Sequence, residues 1–439
     1  MRRMISSALT LAALLATSAP VCAQTLDLNQ AKRRIDALLD QQMPGLLATY
    51  RDLHSHPELA MQEVRTAEVL ATNLQKLGFE VTRKVGVTGV VGVLRNGTGP
   101  TVLIRTELDA LPMEEKTGLP YASKVKVGDS FVDHACGHDV HITWAIATAQ
   151  ALVALKDQWH GTIVLIGQPA EEVLSGARAM LDAGLLTRFP KPDFGFAAHV
   201  SNLPSGTVLI KDGPMSAASD SYTITFQGRG AHGSMPSASI DPVVIGAHFV
   251  TDVQSVISRE REAGTFGVVT VGAFQSGTVA NIIPDTAQLK VNLRSHDEAT
   301  RGLLKDGVQR TAKAVAAMAR APEPTITFTG GTGAVVNDSA MAKSANALLR
   351  PLLGAGVQYA PPAAPPAPAS EDYSEFVLAG VPSLFMTIGG YDPKVIADYK
   401  ARGLSVPVNH SPQFAPDPEP AIRATTSAIV LSIIGGVRP

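Results

Sequence analysis

The chain is poor in cysteine, carries no surplus of charge of either sign, and has no long uninterrupted apolar run. Its 439 residues include only two cysteines, Cys22 and Cys136, which excludes a disulfide-stapled scaffold. The formal net charge is −2, which gives no sign of a nucleic-acid partner. No apolar stretch is long and continuous enough to span a bilayer. There is no internal repeat. What remains is an ordinary globular composition with enough length for two domains.

The first residues, MRRMISSALTLAALLATSAPVCAQ, have the layout of a signal peptide. Arg2 and Arg3 form a charged start, Ala8 to Ala16 an apolar middle, and Val21-Cys22-Ala23 a small-residue cleavage site. The expectation is cleavage after Ala23 and a mature protein that is periplasmic or secreted. Cleavage would leave Cys136 as the sole thiol, with no intramolecular partner. A lone thiol in an oxidising compartment needs protection, and a metal ion provides it.

Downstream, residues 29–54 read as a helix that Pro44-Gly45 interrupts, and 62–77 as a second helix ending at Gly78. The apolar segments 89–94, 101–108, 162–168 and 194–200 read as strands, with helices over 139–157 and near 176–186. Near-continuous apolar strands separated by helices indicate a sheet covered on both faces. From Gly213-Pro214 the pattern changes to β-α-β-β-α-β, the ferredoxin-like order, closing at TGGTG (329–333). A Pro-rich loop at 361–370 and a core strand at 383–390 follow. The fold class expected is α/β: a domain with a mostly parallel sheet covered by helices, plus an inserted ferredoxin-like α+β domain. The boundaries are 1–23 for the leader, 24–214 and 331–439 for the larger domain, and 215–330 for the insert.

The heptad DHACGHD (133–139) crowds acid, imidazole and thiol side chains together, with Asp139 placed to cap the following helix. Ligands in open α/β sheets bind beyond the carboxyl ends of the strands. Those ends carry Glu107 and Asp109 after 101–108, Glu171-Glu172 after 162–168, and His199 at the end of 194–200. Cys136 and His138 precede a helix, and His410 lies in a Pro-flanked loop. Taken singly, a strand-end His is usually structural and a Glu pair usually a solvated helix start. Together they form the thiolate, imidazole and carboxylate set used by zinc and similar divalent ions.

HACGHD, the QPAEE run, the strand-end His, GRGAHGSMP, NIIPD and the late NHSP together resemble the M20 metallopeptidase family, in the amidohydrolase branch that includes hippurate and auxin-conjugate hydrolases. The resemblance covers nearly all of the chain beyond the leader, with the motifs in family order. It implies a two-metal catalytic domain and a lid domain that mediates homodimerisation. It also implies that Cys136, His138, Glu172, His199 and His410 are metal ligands, with Cys136 bridging two ions of zinc, manganese or cobalt. Glu171 would be the general base and Asp109 the carboxylate that orients a ligand His. His232 would reach an active site from the lid and donate to the developing oxyanion, and Asn281 and Arg294 would hold a substrate carboxylate. Two positions depart from the branch: Glu107 stands where an Asp is common, and Val140 replaces a glycine before His141, which is left out of the ligand set.

The function implied is an exported amidohydrolase that cleaves small amides, above all N-acyl amino acids, with a metal-activated water and a Glu base. A dipeptidase or aminoacylase of the same family is the runner-up. A thiol hydrolase built on Cys136 and His138 would leave the Glu pair and the other His residues unexplained. A metal or ligand carrier would have no use for Glu171 beside a ligand. The partners expected are a small N-acyl amino acid or peptide and a second copy of the chain, with no nucleic acid and no membrane span.

Overall fold

The computed structural model describes residues 27–439. The leader and its cleavage site lie outside the described residues. Among the described residues, no helix is long and apolar enough to cross a membrane.

Helix α1 (Leu28–Ser55) is capped by Asp27, whose side chain accepts from the Gln30 amide. It buries Ile35, Leu39, Met43, Leu46, Tyr50 and Leu53 at helical spacing. Pro44 does not interrupt it, contrary to expectation. The bond that Pro44 cannot donate belongs to the exposed Asp40 turn, where water can satisfy the carbonyl. Helix α2 (Val64–Lys76) follows.

Eight strands form the large sheet: β1 (Glu80–Val85), β2 (Gly89–Asn96), β3 (Thr101–Glu107), β4 (Gly161–Gln168), β5 (Phe194–Pro204), β6 (Val208–Lys211), β11 (Val357–Ala360) and β12 (Ser383–Tyr391). Their order is β1-β2-β4-β3-β5-β12-β6-β11. The central four, β4, β3, β5 and β12, run parallel, and the strands beyond them on each side are mixed in direction. Although β2 and β3 are joined by a short turn, β4 inserts between them. Helices α1, α2, α3 (His138–Ala154), α7 (Ser339–Leu353) and α9 (Pro418–Ile434) contribute to the core on one face. Helix α4 (Gly176–Asp182) and the short α8 (Ser374–Leu378) contribute to a second core. Helix α3 is buried on nearly all sides, as its apolar composition requires.

The remaining strands, β7 (Ala218–Gln227), β8 (Gly267–Ser276), β9 (Thr286–Ser295) and β10 (Thr325–Thr332), form a separate antiparallel sheet in the order β8-β9-β7-β10. Helices α5 (Pro242–Asp252) and α6 (Glu298–Met318) cover one face and share a core with Phe226, Leu289 and Val291. The expected helix over 241–262 is shorter, because it stops at Asp252 before a wider turn at Val256–Glu260. The helix expected near 176–186 is also broken, at Gly184, whose φ is +86°.

Between the central strands a gap opens. Strand β5 pairs with β3 only over Phe194–Phe196, so the two part before His199. The start of α3 fills the opening. His138 Nδ1 donates to the Asp109 carbonyl at 2.7 Å, and the Val200 amide donates to His141 Nε2 at 3.0 Å. The cap of α3 is Gly137 at φ +88°, not Asp139. A Cβ at Gly137 would lie 2.5 Å from Val200 Cγ1, so only glycine lets the ligand-bearing turn approach β5 this closely.

Candidate metal centre

At the end of β4 the backbone turns sharply through Pro169-Ala170-Glu171-Glu172. Asp109, just past β3, accepts both the Glu171 amide and the Glu172 amide, one on each carboxylate oxygen at 3.0 Å. Its carboxylate is 3.5 Å from His138 Nδ1, which is closer to the Asp109 main-chain oxygen. Asp109 therefore fixes the Glu pair through its side chain and His138 mainly through its backbone. With Nδ1 donating, His138 Nε2 is left with its lone pair free.

That lone pair faces carboxylates. His138 Nε2 is 3.8 Å from Glu171 Oε2 and 3.9 Å from Glu172 Oε1. His138 Nε2 and Glu172 Oε1 are both buried without a hydrogen-bond partner. Across a shared ion, ligand atoms at about 2.0–2.2 Å from the metal stand at comparable separations. On the other side of Glu172, Oε2 is 3.1 Å from His410 Nε2. Cys136 Sγ lies 3.4 Å from His199 Nε2, and Cys136, Glu172 and His410 form a second group of converging donor atoms. Burial, then the carboxylates of Glu172 and Glu171, push the Cys136 thiol well up, and only an adjacent cation would hold it as the thiolate. Orphaned buried donors and this excess of carboxylate fit a metal pair. Cys136, His138, Glu172, His199 and His410 would hold it.

His199 sits inside β5, which continues to Pro204, and not at the strand end as expected. Its Nδ1 is 2.7 Å from the Val200 carbonyl, which leaves Nε2 for the site. His410 adopts φ +66°, in a loop where Asn409 Nδ2 donates to the carbonyls of Cys136 and Val200 at 3.0 and 3.1 Å. His141 has both ring nitrogens engaged, by Glu107 Oε2 at 3.0 Å and by the Val200 amide. It has nothing left for a metal, in keeping with its omission from the ligand set.

Glu107 is accommodated by tertiary charge. Burial opposes its ionisation, but Arg105 and His141 hold its carboxyl well below the usual range. The same Arg105 guanidinium reaches Glu371 at 2.7 Å and Asp372 at 3.2 Å, and its Nε donates to Gln168. None of Arg105, Glu371, Asp372 and Asn409 was among the expected site residues. The available signal was an arginine directly after the apolar run Val102-Leu103-Ile104 of strand β3, which must have a buried partner. Burial, then Glu371 and Glu172, push Glu171 well up from the usual carboxylate range.

A cavity of about 510 Å³ opens on this cluster, lined by Cys136, Glu171, Glu172, His199 and His410 together with Arg294. Arg294 is half-buried, donates to the Asn292 side chain at 2.9 Å and to the Ser370 hydroxyl, and is lowered in pKa by burial. His232 and Asn281 do not line the cavity. They lie on the two arms of an exposed ribbon, where His232 pairs with Ile282 and the Gly233 amide donates to the Asn281 carbonyl.

Residues 103–400 match the family described as peptidase family M20/M25/M40. The chain is 40% identical over 268 residues to a hippurate hydrolase of Campylobacter jejuni, covering 60% of this chain and 68% of that one. Among solved structures, a candidate aminohydrolase from methicillin-resistant Staphylococcus aureus matches with a TM-score of 0.83 at 28% identity, over 93% of this chain and 100% of that one. A dinuclear metal-binding peptidase of the M20 family from Bacillus subtilis matches with a TM-score of 0.71 at 29% identity, over 91% and 99%. Overlapping groups of converging His, Cys and Glu donors agree with that likeness, and the chain belongs to peptidase family M20/M25/M40 as a metal-dependent amide hydrolase of the two-metal kind.

Proposed function

We propose that this chain is an exported amidohydrolase that cleaves the amide bond of N-acyl amino acids. The observation that carries the substrate class is Arg294, a half-buried guanidinium that lines the same cavity as Glu171, Glu172 and Cys136. An arginine there can grip a carboxylate while the acyl part lies against Leu174, Met215 and Phe385 on the cavity wall. The hippurate hydrolase relative is named for such a substrate.

When bound, the metal pair would supply Lewis acidity and lower the pKa of a water. Glu171 would take the proton of the attacking water and return it to the leaving amine. Glu172 is its neighbour in sequence but turns towards His410, so the two carboxylates divide binding and base roles. Asp109 holds both in place through their amides. His232 and Asn281 lie outside the cavity of their own chain, which supports a composite site in a homodimer, where they would serve the neighbouring subunit.

The test is a panel on the purified protein with added zinc, manganese or cobalt: N-acetyl, N-benzoyl and N-fatty-acyl amino acids against dipeptides. The expected result is turnover of an N-acyl amino acid with a clear loss when its carboxylate is amidated. Preference for dipeptides would favour the dipeptidase reading, and metal binding without any amide turnover would favour a carrier.

A further inference from the structure

Helix α2 begins in an unusual way. Glu63 stands at its N-cap position, yet its side chain caps nothing there. Glu58 takes over that work, accepting the Arg65 amide at 3.1 Å and the Thr66 amide at 2.8 Å. Glu63 is thereby released, and its fully buried carboxylate reaches across to the end of β4. One oxygen accepts the Ala170 amide at 2.8 Å and the Met61 amide at 2.9 Å, and the other accepts the Thr88 hydroxyl. Ala170 is buried at φ +50°, in the left-handed region that costs a residue with a Cβ. Its carbonyl is engaged as well, by the amides of Ser175 and Gly176.

Three successive peptide N–H groups of the catalytic turn thus end on two buried carboxylates. Ala170 donates to Glu63, and Glu171 and Glu172 donate to the two oxygens of Asp109. We infer that Glu63 is a positioning residue for the two-metal site: by clamping Ala170 in its left-handed conformation, it sets the direction in which Glu171 and Glu172 leave the backbone. The inference rests on the proposed roles of Glu171 as base and Glu172 as ligand. Glu63 itself neither lines the cavity nor belongs to the ligand groups. The acceptor is what matters. A glutamine can accept the Ala170 amide through its own oxygen and offer its NH₂ to the Thr88 hydroxyl, whereas an alanine can do neither.

The experiment compares Glu63→Ala, Glu63→Gln and Thr88→Val, each checked for a folded, soluble state by circular dichroism. Metal dissociation constants are measured by equilibrium dialysis, without substrate, and kcat and KM are measured at saturating metal. Glu63→Ala should weaken metal binding by about 10–100-fold, as expected when a group that orients a ligand is lost, and lower kcat at saturating metal with KM within about twofold. Glu63→Gln should recover both quantities to within about threefold of wild type, and Thr88→Val should fall between. If Glu63→Ala does not fold, the Thr88→Val and Glu63→Gln results decide. Wild-type metal affinity and kcat in Glu63→Ala or Thr88→Val would overturn the inference, as would a Glu63→Gln protein no better than Glu63→Ala. A parallel Glu171→Gln protein separates the two readings, because its retaining full activity would remove the base assignment itself, whatever Glu63 does.

Discussion

Glu171 and Glu172 are consecutive and both approach His138 Nε2, but only Glu172 also reaches His410, and the residue-scale account depends on that difference. Glu171→Gln should lower turnover by a factor of at least ~100 while metal content stays near wild type. Loss of metal in parallel with activity would make Glu171 a ligand and reverse the assignment. A second residue-scale expectation concerns His54, which is buried between Asp139 at 2.7 Å and Glu115 at 3.2 Å. Burial opposes its protonation, but the two carboxylates win and raise it to about 10. A folded-state pKa above the unfolded value of about 6.5 contributes stability that is full below that value and disappears as pH rises towards 10. Urea denaturation should therefore show wild type exceeding His54→Gln by more near pH 6 than near pH 9.5, and a constant difference would contradict it. The convergence of candidate donors was readable at this scale, since Cys136, His138, Glu172, His199 and His410 stand in short motifs and fall into overlapping clusters. Glu371 and Asp372 were not, because their partner Arg105 is more than 260 positions away in the chain, and their role exists only once β3 is packed.

At the scale of elements, the strand ends of the large sheet place the chemistry, and they were legible from apolar runs of strand length. The early end of α5 at Asp252 and the break at Gly184 were not. Helix α1 runs through Pro44 because its apolar stripe continues on both sides, so packing outweighs one lost bond. Strands β6 and β11 and helices α7 and α9 escaped notice, the strands being four residues each and paired with neighbours that are distant in sequence. The turn after β4 is where an element-scale prediction can be made. A Cβ at Gly176 would lie 1.5 Å from the Pro169 carbonyl oxygen, so any side chain must open the turn that carries Ala170, Glu171 and Glu172. Gly176→Ala should reduce metal affinity by tenfold or more with activity falling alongside, measured by dialysis and initial rates. Unchanged metal affinity would show that the turn has slack that the packing denies.

For the molecule as a whole, the ferredoxin-like sheet leaves β8 and β10 as edges, and His232 and Asn281 sit in an exposed ribbon of the same region. Pairing of such an edge with its counterpart is one way to cover it, and it would bring His232 to a second copy. On that account His232→Ala should lower kcat by ~10²-fold with metal content intact. Mixing it with Glu171→Gln should regain partial activity, because a mixed dimer contains one intact composite site. A monomer in solution, or no recovery from demonstrably mixed dimers, would remove the shared site. The central claim is that this cavity hydrolyses the amide of an N-acyl amino acid with a metal pair held by Cys136, His138, Glu172, His199 and His410. Its most direct test is reconstitution: the protein is stripped with chelator, titrated with zinc, manganese or cobalt, and followed for both bound ions per subunit and hydrolysis of N-benzoylglycine and its N-acyl analogues. The account predicts no turnover in the stripped protein and recovery that tracks the binding of two ions per subunit, whereas undiminished hydrolysis without metal would contradict it.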